Sequence, residues 1–478
     1  MFAPVCLLVV IFSTYELPQP RLDYKNISEN VTSKSINAIN RKASLPSNAI
    51  SSVARSYVES KRISSELNAK RNARSAVGER IRKSAEAKDN AARDAARSEA
   101  AQLKAQVKEL EGALDVAEQQ CLQWALAIPN DTHPCVPLGP EASAVTISTH
   151  GPKPIPIDAK RDHVSICKKL GLLDLESGAT VTGSSWYFLM NEAALLELAL
   201  INYALSVAIR HGFTPVTTPD VVRSDIAVRC GFQPRDDSDP PVSHMYHLAS
   251  SHRASPELVL SGTSEIPLAG MFANKTFPSS VLPLKVVGIG HAFRAEAGAR
   301  SADTRGLYRV HQFTKVELFS VTTEDASEGM MEEMKSIQQI ILEGLDLPFR
   351  VLDMPTEELG ASAYRKYDMD AWMPGRGSWG EVSSLSNCTD YQARRLHVRY
   401  RPQSSSHDTP ITATTHTKLP FAHTLNGTAA AVPRLIVALL ENGAIFDEEG
   451  TPIGLRLPAK LKPFWIGGDN GRNIVQWE

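Results

Sequence analysis

The sequence predicts an α+β protein in two parts, a long helical hairpin followed by a mixed body, on two observations. Residues 48–127 are rich in Ala, Lys, Arg, Glu, Gln and Ser, with no proline between Pro46 and Pro129, which favours uninterrupted helix. Beyond the prolines the apolar spacing changes repeatedly between the helical period and strand alternation. At 478 residues the chain exceeds the length at which one core stops growing, so several domains are expected. The expected division is 1–21 as a leader or uncertain start, 22–128 as the arm, 129–156 as a linker, 157–466 as the body and 467–478 as a tail.

The first residues form an apolar run from Phe2 to Phe12, too short to span a membrane and preceded by no Lys or Arg. It reads as a secretory core segment, an irregular organelle leader or a misplaced start. No other segment is apolar for long enough to cross a membrane, so no membrane role is expected.

Within the arm, Leu103, Val107, Leu110, Leu114, Ala117 and Cys121 recur at alternating steps of four and three, a heptad seam. Ile50, Val53, Tyr57, Ile63, Leu67, Val77 and Ile81 give the first half a looser stripe. A break between Lys83 and Asn90 would fold the halves into an antiparallel hairpin of roughly 35 residues a side, about 50 Å long at 1.5 Å per residue. Between Lys61 and Arg97 eleven Lys or Arg stand against five acids, and Arg71, Arg74, Arg80, Arg82 and Lys83 crowd the expected tip. Taken alone, these charges favour a solvated coiled coil or a dimerisation rod. The competing reading is a basic lever that tracks a phosphate backbone. The net charge of −2 excludes a uniformly basic protein, so any nucleic-acid contact must be local.

In the body, Asn191 to Arg210 and Met330 to Leu345 carry helical spacing, and strands are expected at Leu282 to Glu296, Leu307 to Val321 and Gly380 to Leu385. The stretch "FRAEAGARSADTRGLYRVHQFTKVELF" (Phe293 to Phe319) then has a geometric reading. Alternation along a Leu307 to Val321 strand sends Arg309, Phe313 and Glu317 to one face, while Arg294 and Glu296 share a face of the strand before. The polar connection from Ala297 to Gly306 holds Arg300, Asp303 and Arg305 and suits a mobile element over a ligand. Two guanidinium forks match phosphate oxygens, and a ring between them can stack on a purine. An exposed hairpin with cross-strand ion pairs remains the competing reading. No Walker loop and no G-x-G-x-x-G after a strand is present, so a nucleotide site would need another scaffold. Six cysteines without a C-x-x-C pair argue against a zinc site and against a disulfide framework.

The hairpin resembles motif 2 of the class II aminoacyl-tRNA synthetases, and within them the seryl-tRNA synthetases. "GTSEIPLAG" (Gly262 to Gly270) is similar to that family's T-x-E loop, and "GEVSSLSNCTDYQARR" (Gly380 to Arg395) to its strand of metal and amino-acid contacts. "HTLNGTAAAVPRLIVALLEN" (His423 to Asn442) resembles motif 3, and Asn191 to Pro219 resembles motif 1, the dimer interface. These blocks occur in family order over about 250 residues. The resemblance implies a class II catalytic domain built on an antiparallel sheet flanked by helices, and a homodimer. It also reverses the preference about the arm, because the family uses its N-terminal hairpin to hold serine tRNA.

The implied activity is serine activation with ATP and Mg2+, then transfer of serine to tRNA(Ser). Arg294 would hold the α-phosphate and the serine carboxylate, Glu296 the adenine end, and Phe313 and Arg434 the two faces of the base. Arg309 with Arg434 would grip the outer phosphates. Ala295, Val382, Ser383 and Ser384 would complete the ATP site, and Glu381 would take the metal with Ser384 beside it. Thr263, Ser264, Glu265, Glu317, Ser384, Asn426 and Thr428 would surround serine. Catalysis would rest on Arg294, Glu381 and Arg434, and the tRNA arm on Arg71, Arg74, Arg80, Arg82 and Lys83. Two positions depart from the family: in "ATVTGSSWYFL" Thr180 and Ser185 stand where a Lys and an Arg are common. The pattern is most like the fungal mitochondrial branch, which implies the mitochondrial matrix, with the cytoplasm as alternative, although no Arg precedes Arg21. Other readings are a ligase that charges a carrier protein and a catalytically silent RNA-binding relative. The basic arm argues against the first, and the retained Arg294, Glu317, Glu381 and Arg434 against the second.

Overall fold

A computed structural model describes residues 17–232, 244–249, 256–296, 305–403, 419–468 and 472–478. The apolar run Phe2 to Phe12, Arg300 and Asp303 lie outside them.

Two short helices, Tyr24–Glu29 and Val31–Asn40, precede the arm, whose helices span Ala49–Glu86 and Asn90–Ala127, 38 residues each. Lys88 turns the chain with φ 55, and the Asp89 carboxylate accepts a hydrogen bond from Ala92 N to start the return helix. Each helix is about 57 Å long. Leu103, Val107, Ala117 and Cys121 from the heptad seam are buried, as are Ile50, Val53, Ile63, Leu67 and Val77 opposite them. The apolar steps therefore placed both the hairpin and its seam.

The body is an eight-stranded sheet. From one edge its strands run Val145–His150, Phe349–Asp353, Arg365–Met373, Ser378–Asn387, His423–Ala431, Gln312–Thr322, Leu284–Phe293 and Thr214–Thr217. All neighbours are antiparallel except the last pair. Helices Asn191–Arg210, Ser327–Glu343 and Val432–Gly443 pack on one face, burying Leu196, Leu200, Met334, Ile337, Leu435 and Leu439 with Val316, Leu318 and Leu425 of the sheet. By length and composition the 20-residue Asn191–Arg210 helix could cross a membrane, contrary to expectation, but its buried side belongs to this core.

Two expected connections are structural. The segment 129–156, expected as a linker, supplies the edge strand Val145–His150, which its proline content concealed. In the tail, Val475–Trp477 pairs in parallel with Pro452–Leu457. The strands of the central hairpin are shorter than expected. The first ends at Phe293 and the second begins at Gln312, so Arg294, Glu296 and Arg309 lie just beyond the ladder and strand alternation does not orient them.

Candidate active site

The opposite face of the sheet is covered around Phe319 and Val321 by a second core and elsewhere forms a cleft in two connected halves, and alternation explains who lines it. On the Gln312–Thr322 strand, Val316 and Leu318 enter the helix-covered core, while Phe313, Lys315 and Glu317 stand on the other face. On Ser378–Asn387, Glu381 and Ser384 are three apart, so a regular strand would oppose them. Met369 pairs with Ser383 and Asp370 with Glu381, which leaves Val382 as an extra bulged residue and restores Glu381 and Ser384 to one face. A second irregularity opposite Val316 and Glu317 sets Thr428 beside Glu317.

One half of the cleft is lined by Arg294, Glu296, Arg309, Phe313, Glu381 and Arg434. The Arg434 guanidinium donates from Nη1 to Glu381 O at 3.0 Å and lies 3.3 Å from the Glu381 carboxylate. It covers the ring of Tyr308 at 4.7 Å, and Arg376 covers the same ring at 3.7 Å. The Arg294 guanidinium lies 5.3 Å from the centre of the Phe313 ring and donates from Nε to Gly262 O. Glu296, in the left-handed region at φ 46, accepts from Arg309 Nη1 at 3.0 Å. Burial would raise the Glu381 carboxyl, but Arg434, Lys366, Arg294 and Lys315 outweigh it and hold it at about 2. Burial and the nearby Arg434 both lower the pKa of Arg294, a crowding of cations that an anionic ligand would relieve.

The other half is lined by Thr263, Glu265, Asn426, Ser384, Lys366 and the segment from Gly360 to Ala363. Arg294, Glu296, Lys315 and Ser384 line both halves. Lys315 Nζ sits 2.6 Å from Glu317 Oε2, which also accepts from Thr263 Oγ1 at 3.1 Å. Glu317 is only 1% exposed, so it braces Thr263 and Lys315 from behind rather than facing the cleft. Glu265 accepts from Gln392 Nε2 at 2.5 Å. Burial and the neighbouring Glu317 push its carboxyl up to about 7, against the pull of Lys315, Gln392 and Arg294. Burial likewise raises Asp368 to about 7, against Lys366, whose Nζ is 2.7 Å away. Ser384 Oγ and Thr428 Oγ1 are 3.3 Å apart, and Asn426 Nδ2 donates to Cys388 Sγ.

The expected residues divide accordingly. Thr263, Glu265, Arg294, Glu296, Arg309, Phe313, Glu381, Val382, Ser383, Ser384, Asn426, Thr428 and Arg434 converge on the cleft. Ser264 is buried with its hydroxyl 3.4 Å from Thr218 Oγ1. Val382 lines the cleft at the edge of the core, and Ser383 lines it with its hydroxyl donated to Thr428 O. Ala295 donates its N–H to His244 O. Arg305, expected on a mobile connection, pairs with Asp162 at 2.9 Å. Sequence reasoning missed Lys315, although it lies between Phe313 and Glu317 on the same alternating face, and missed Lys366 and Asp368, which alternate along the next strand but one. At the arm, Arg71 pairs with Glu111 and Arg80 with Glu99 across the hairpin, each at 2.8 Å and exposed, so these pairs contribute little stability. Arg74, Arg82 and Lys83 are also exposed.

Residues 22–132 match the family described as the seryl-tRNA synthetase N-terminal domain, and residues 246–443 the tRNA synthetase class II core domain (G, H, P, S and T). A serine–tRNA ligase of Rhodopirellula baltica is 41% identical over 94% of this chain and 99% of its own length. The chain belongs to the seryl-tRNA synthetases. As a member of that family it is a serine–tRNA ligase, an enzyme that activates serine with ATP and transfers it to tRNA. A mitochondrial serine–tRNA ligase of Schizosaccharomyces pombe is 43% identical over 76% of the chain and 71% of its own length. The seryl-tRNA synthetase of Pyrococcus horikoshii, solved in complex with ATP, superposes with a TM-score of 0.78 at 32% identity over 93% of this chain and 97% of that one.

Proposed function

We propose that the two halves of the cleft are the ATP and serine subsites of this synthetase, with Arg294 at their junction. The observation that carries this assignment is that Arg294, Lys315 and Ser384 line both halves, where an α-phosphate and an amino-acid carboxylate must meet.

The serine carboxylate attacks the α-phosphate in line, so two anions approach each other. Arg294 and Lys315 lower that repulsion and stabilise the charge that builds on the phosphate oxygens as pyrophosphate leaves. No general base is needed, because the attacking carboxylate is already ionised. Phe313 offers its face to the purine, Glu296 reads the adenine edge, and Arg309 with Arg434 holds the outer phosphates. Glu381, ionised and facing the cleft beside the Ser384 hydroxyl, is the oxygen-donor pair that would hold Mg2+, which supplies charge neutralisation between phosphate oxygens when bound. Thr263 and Glu265 receive the serine ammonium, with Glu317 fixing Thr263 and Lys315 in place. Asn426 closes the pocket around the hydroxyl, with Thr428 reaching it from the ATP half through Ser384, 3.3 Å away. An amino acid lacking that hydroxyl leaves buried polar groups unpaired, which is a strong filter.

In the second step a terminal ribose hydroxyl of tRNA(Ser) takes the seryl group, and the basic arm tip engages the phosphate backbone of that tRNA. A homodimer through Asn191 to Pro219 is favoured by exposed Leu198 and Ile209 on this helix and by Phe188 and Met190 just before it. Likeness to the fission-yeast mitochondrial enzyme favours the mitochondrial matrix, which localisation of the tagged full chain would test.

The deciding experiment is exchange of labelled pyrophosphate into ATP without tRNA, with serine, threonine, alanine or glycine. Exchange with serine alone, lost on removal of divalent ions, is expected. Equal exchange with alanine would overturn the assignment of the serine pocket.

A further inference from the structure

Arg41 is 1% exposed, among the largest fully buried side chains of the described residues, and it lies far in sequence from every residue of the cleft. It sits where the chain turns from Val31–Asn40 into the first arm helix. Its Nη1 donates to Asn130 O at 2.8 Å and to Asp131 O at 3.1 Å, and its Nη2 donates to Gly360 O. One planar guanidinium thus gathers carbonyls from the chain leaving the arm and from the loop that walls the amino-acid half of the cleft.

The other bonds of that wall lead to the same place. Asn130 N donates to Ala361 O at 2.8 Å, and Asn130 Nδ2 to Ser362 O and Cys388 O at 2.9 Å each. His133 N donates to Tyr364 O, and Thr356 N to Pro137 O. Val136, Leu359 and Ala363 form a small core of their own. From the arm side, Asn37 Nδ2 donates to Asn130 O, and Thr132 Oγ1 to Asn37 Oδ1 at 2.6 Å. Cys388, whose carbonyl Asn130 holds, also accepts through Sγ from Asn426 in the cleft. The backbone of the Gly360–Ala363 wall is therefore fixed largely by residues from the root of the arm, with Arg41 at the centre of the joint.

We propose that Arg41 is a positioning residue of the amino-acid pocket: by tying Asn130 and Asp131 to Gly360 it sets the Gly360–Ala363 wall, so that the root of the arm is a structural part of the amino-acid site. The inference rests on the assignment of that half of the cleft to serine. Arg41 lines neither half of the cleft, and the ATP half draws no wall residue from this joint. Its effect should fall on serine binding and spare ATP.

The test is Arg41→Met, which keeps bulk and removes the donors, with Arg41→Lys as the conservative variant and Asn37→Ala as a milder cut in the same joint. Pyrophosphate exchange at varied serine and varied ATP is measured on the full chain, with thermal melting as a folding control. Displacement of a wall by a fraction of an ångström predicts a rise of about tenfold in KM for serine in Arg41→Met, with KM for ATP within about twofold of wild type. Arg41→Lys, which can reach one carbonyl group but not span both sides, should recover part of the loss, and Asn37→Ala should shift KM for serine less in the same direction. If Arg41→Met does not fold, Asn37→Ala with Arg41→Lys decides. Unchanged KM for serine in the folded variants, or serine and ATP constants rising together, overturns the proposal. A wild-type protein without serine-dependent exchange would instead overturn the assignment of the cleft itself.

Discussion

With Glu265 receiving the serine ammonium, as proposed above, its raised carboxyl should make serine binding titrate near neutrality. In the free enzyme its pKa is pushed up to about 7 by burial and by Glu317. The serine ammonium favours the ionised form, so protonation of Glu265 competes with serine. The sign follows: affinity is full above the raised value and is lost as pH falls below it. With a pKa near 7 the apparent KM scales as one plus the ratio of protonated to ionised carboxyl, which gives about a tenfold rise in KM for serine between pH 8 and pH 6. The assay is pyrophosphate exchange at saturating ATP and Mg2+ across that range. Glu265→Gln should give a higher KM for serine that no longer varies with pH. A flat profile in the wild type, or an equal slope in Glu265→Gln, would refute the argument and move the titration to another group, with Asp368 the first to examine.

Other expectations separate the arm from the cleft. Arg294→Ala should lower serine-dependent exchange by about 10²-fold or more, the usual cost of one oxyanion donor, while tRNA binding by filter retention stays near wild type. Changing Arg80, Arg82 and Lys83 together to Glu should leave exchange intact, weaken tRNA binding and flatten its salt dependence; equal loss of exchange in both proteins would disprove this division. Leu103, in the small tip core with Val77 and Ala96, should destabilise the hairpin by about 2–4 kcal/mol when changed to Ala, seen as faster amide exchange over the outer arm with adenylation unaffected.

The sequence by itself determined the hairpin and most of the residues that line the cleft. Steps of three and four through Leu103, Val107 and Cys121 force one face of a helix inward, and the absence of proline over some eighty residues leaves nothing to interrupt it. Alternation placed Phe313 and Glu317 on one face and would have added Lys315 had it been applied to every odd residue. The motif blocks supplied the rest, because their residue types and order are local properties of the chain. Only the tertiary structure decided what depends on register and on distant chain. The bulge at Val382 returns Glu381 and Ser384 to the same face, and no local period announces a bulge. The early ends of the Leu284–Phe293 and Gln312–Thr322 strands leave Arg294 and Arg309 to be aimed by Gly262, Glu296 and Phe313 rather than by the pleat. Arg41 shows the limit most sharply. Its neighbours in sequence are helix and turn, whereas its function comes from a carbonyl 319 residues away, a contact that exists only after arm and body have packed together.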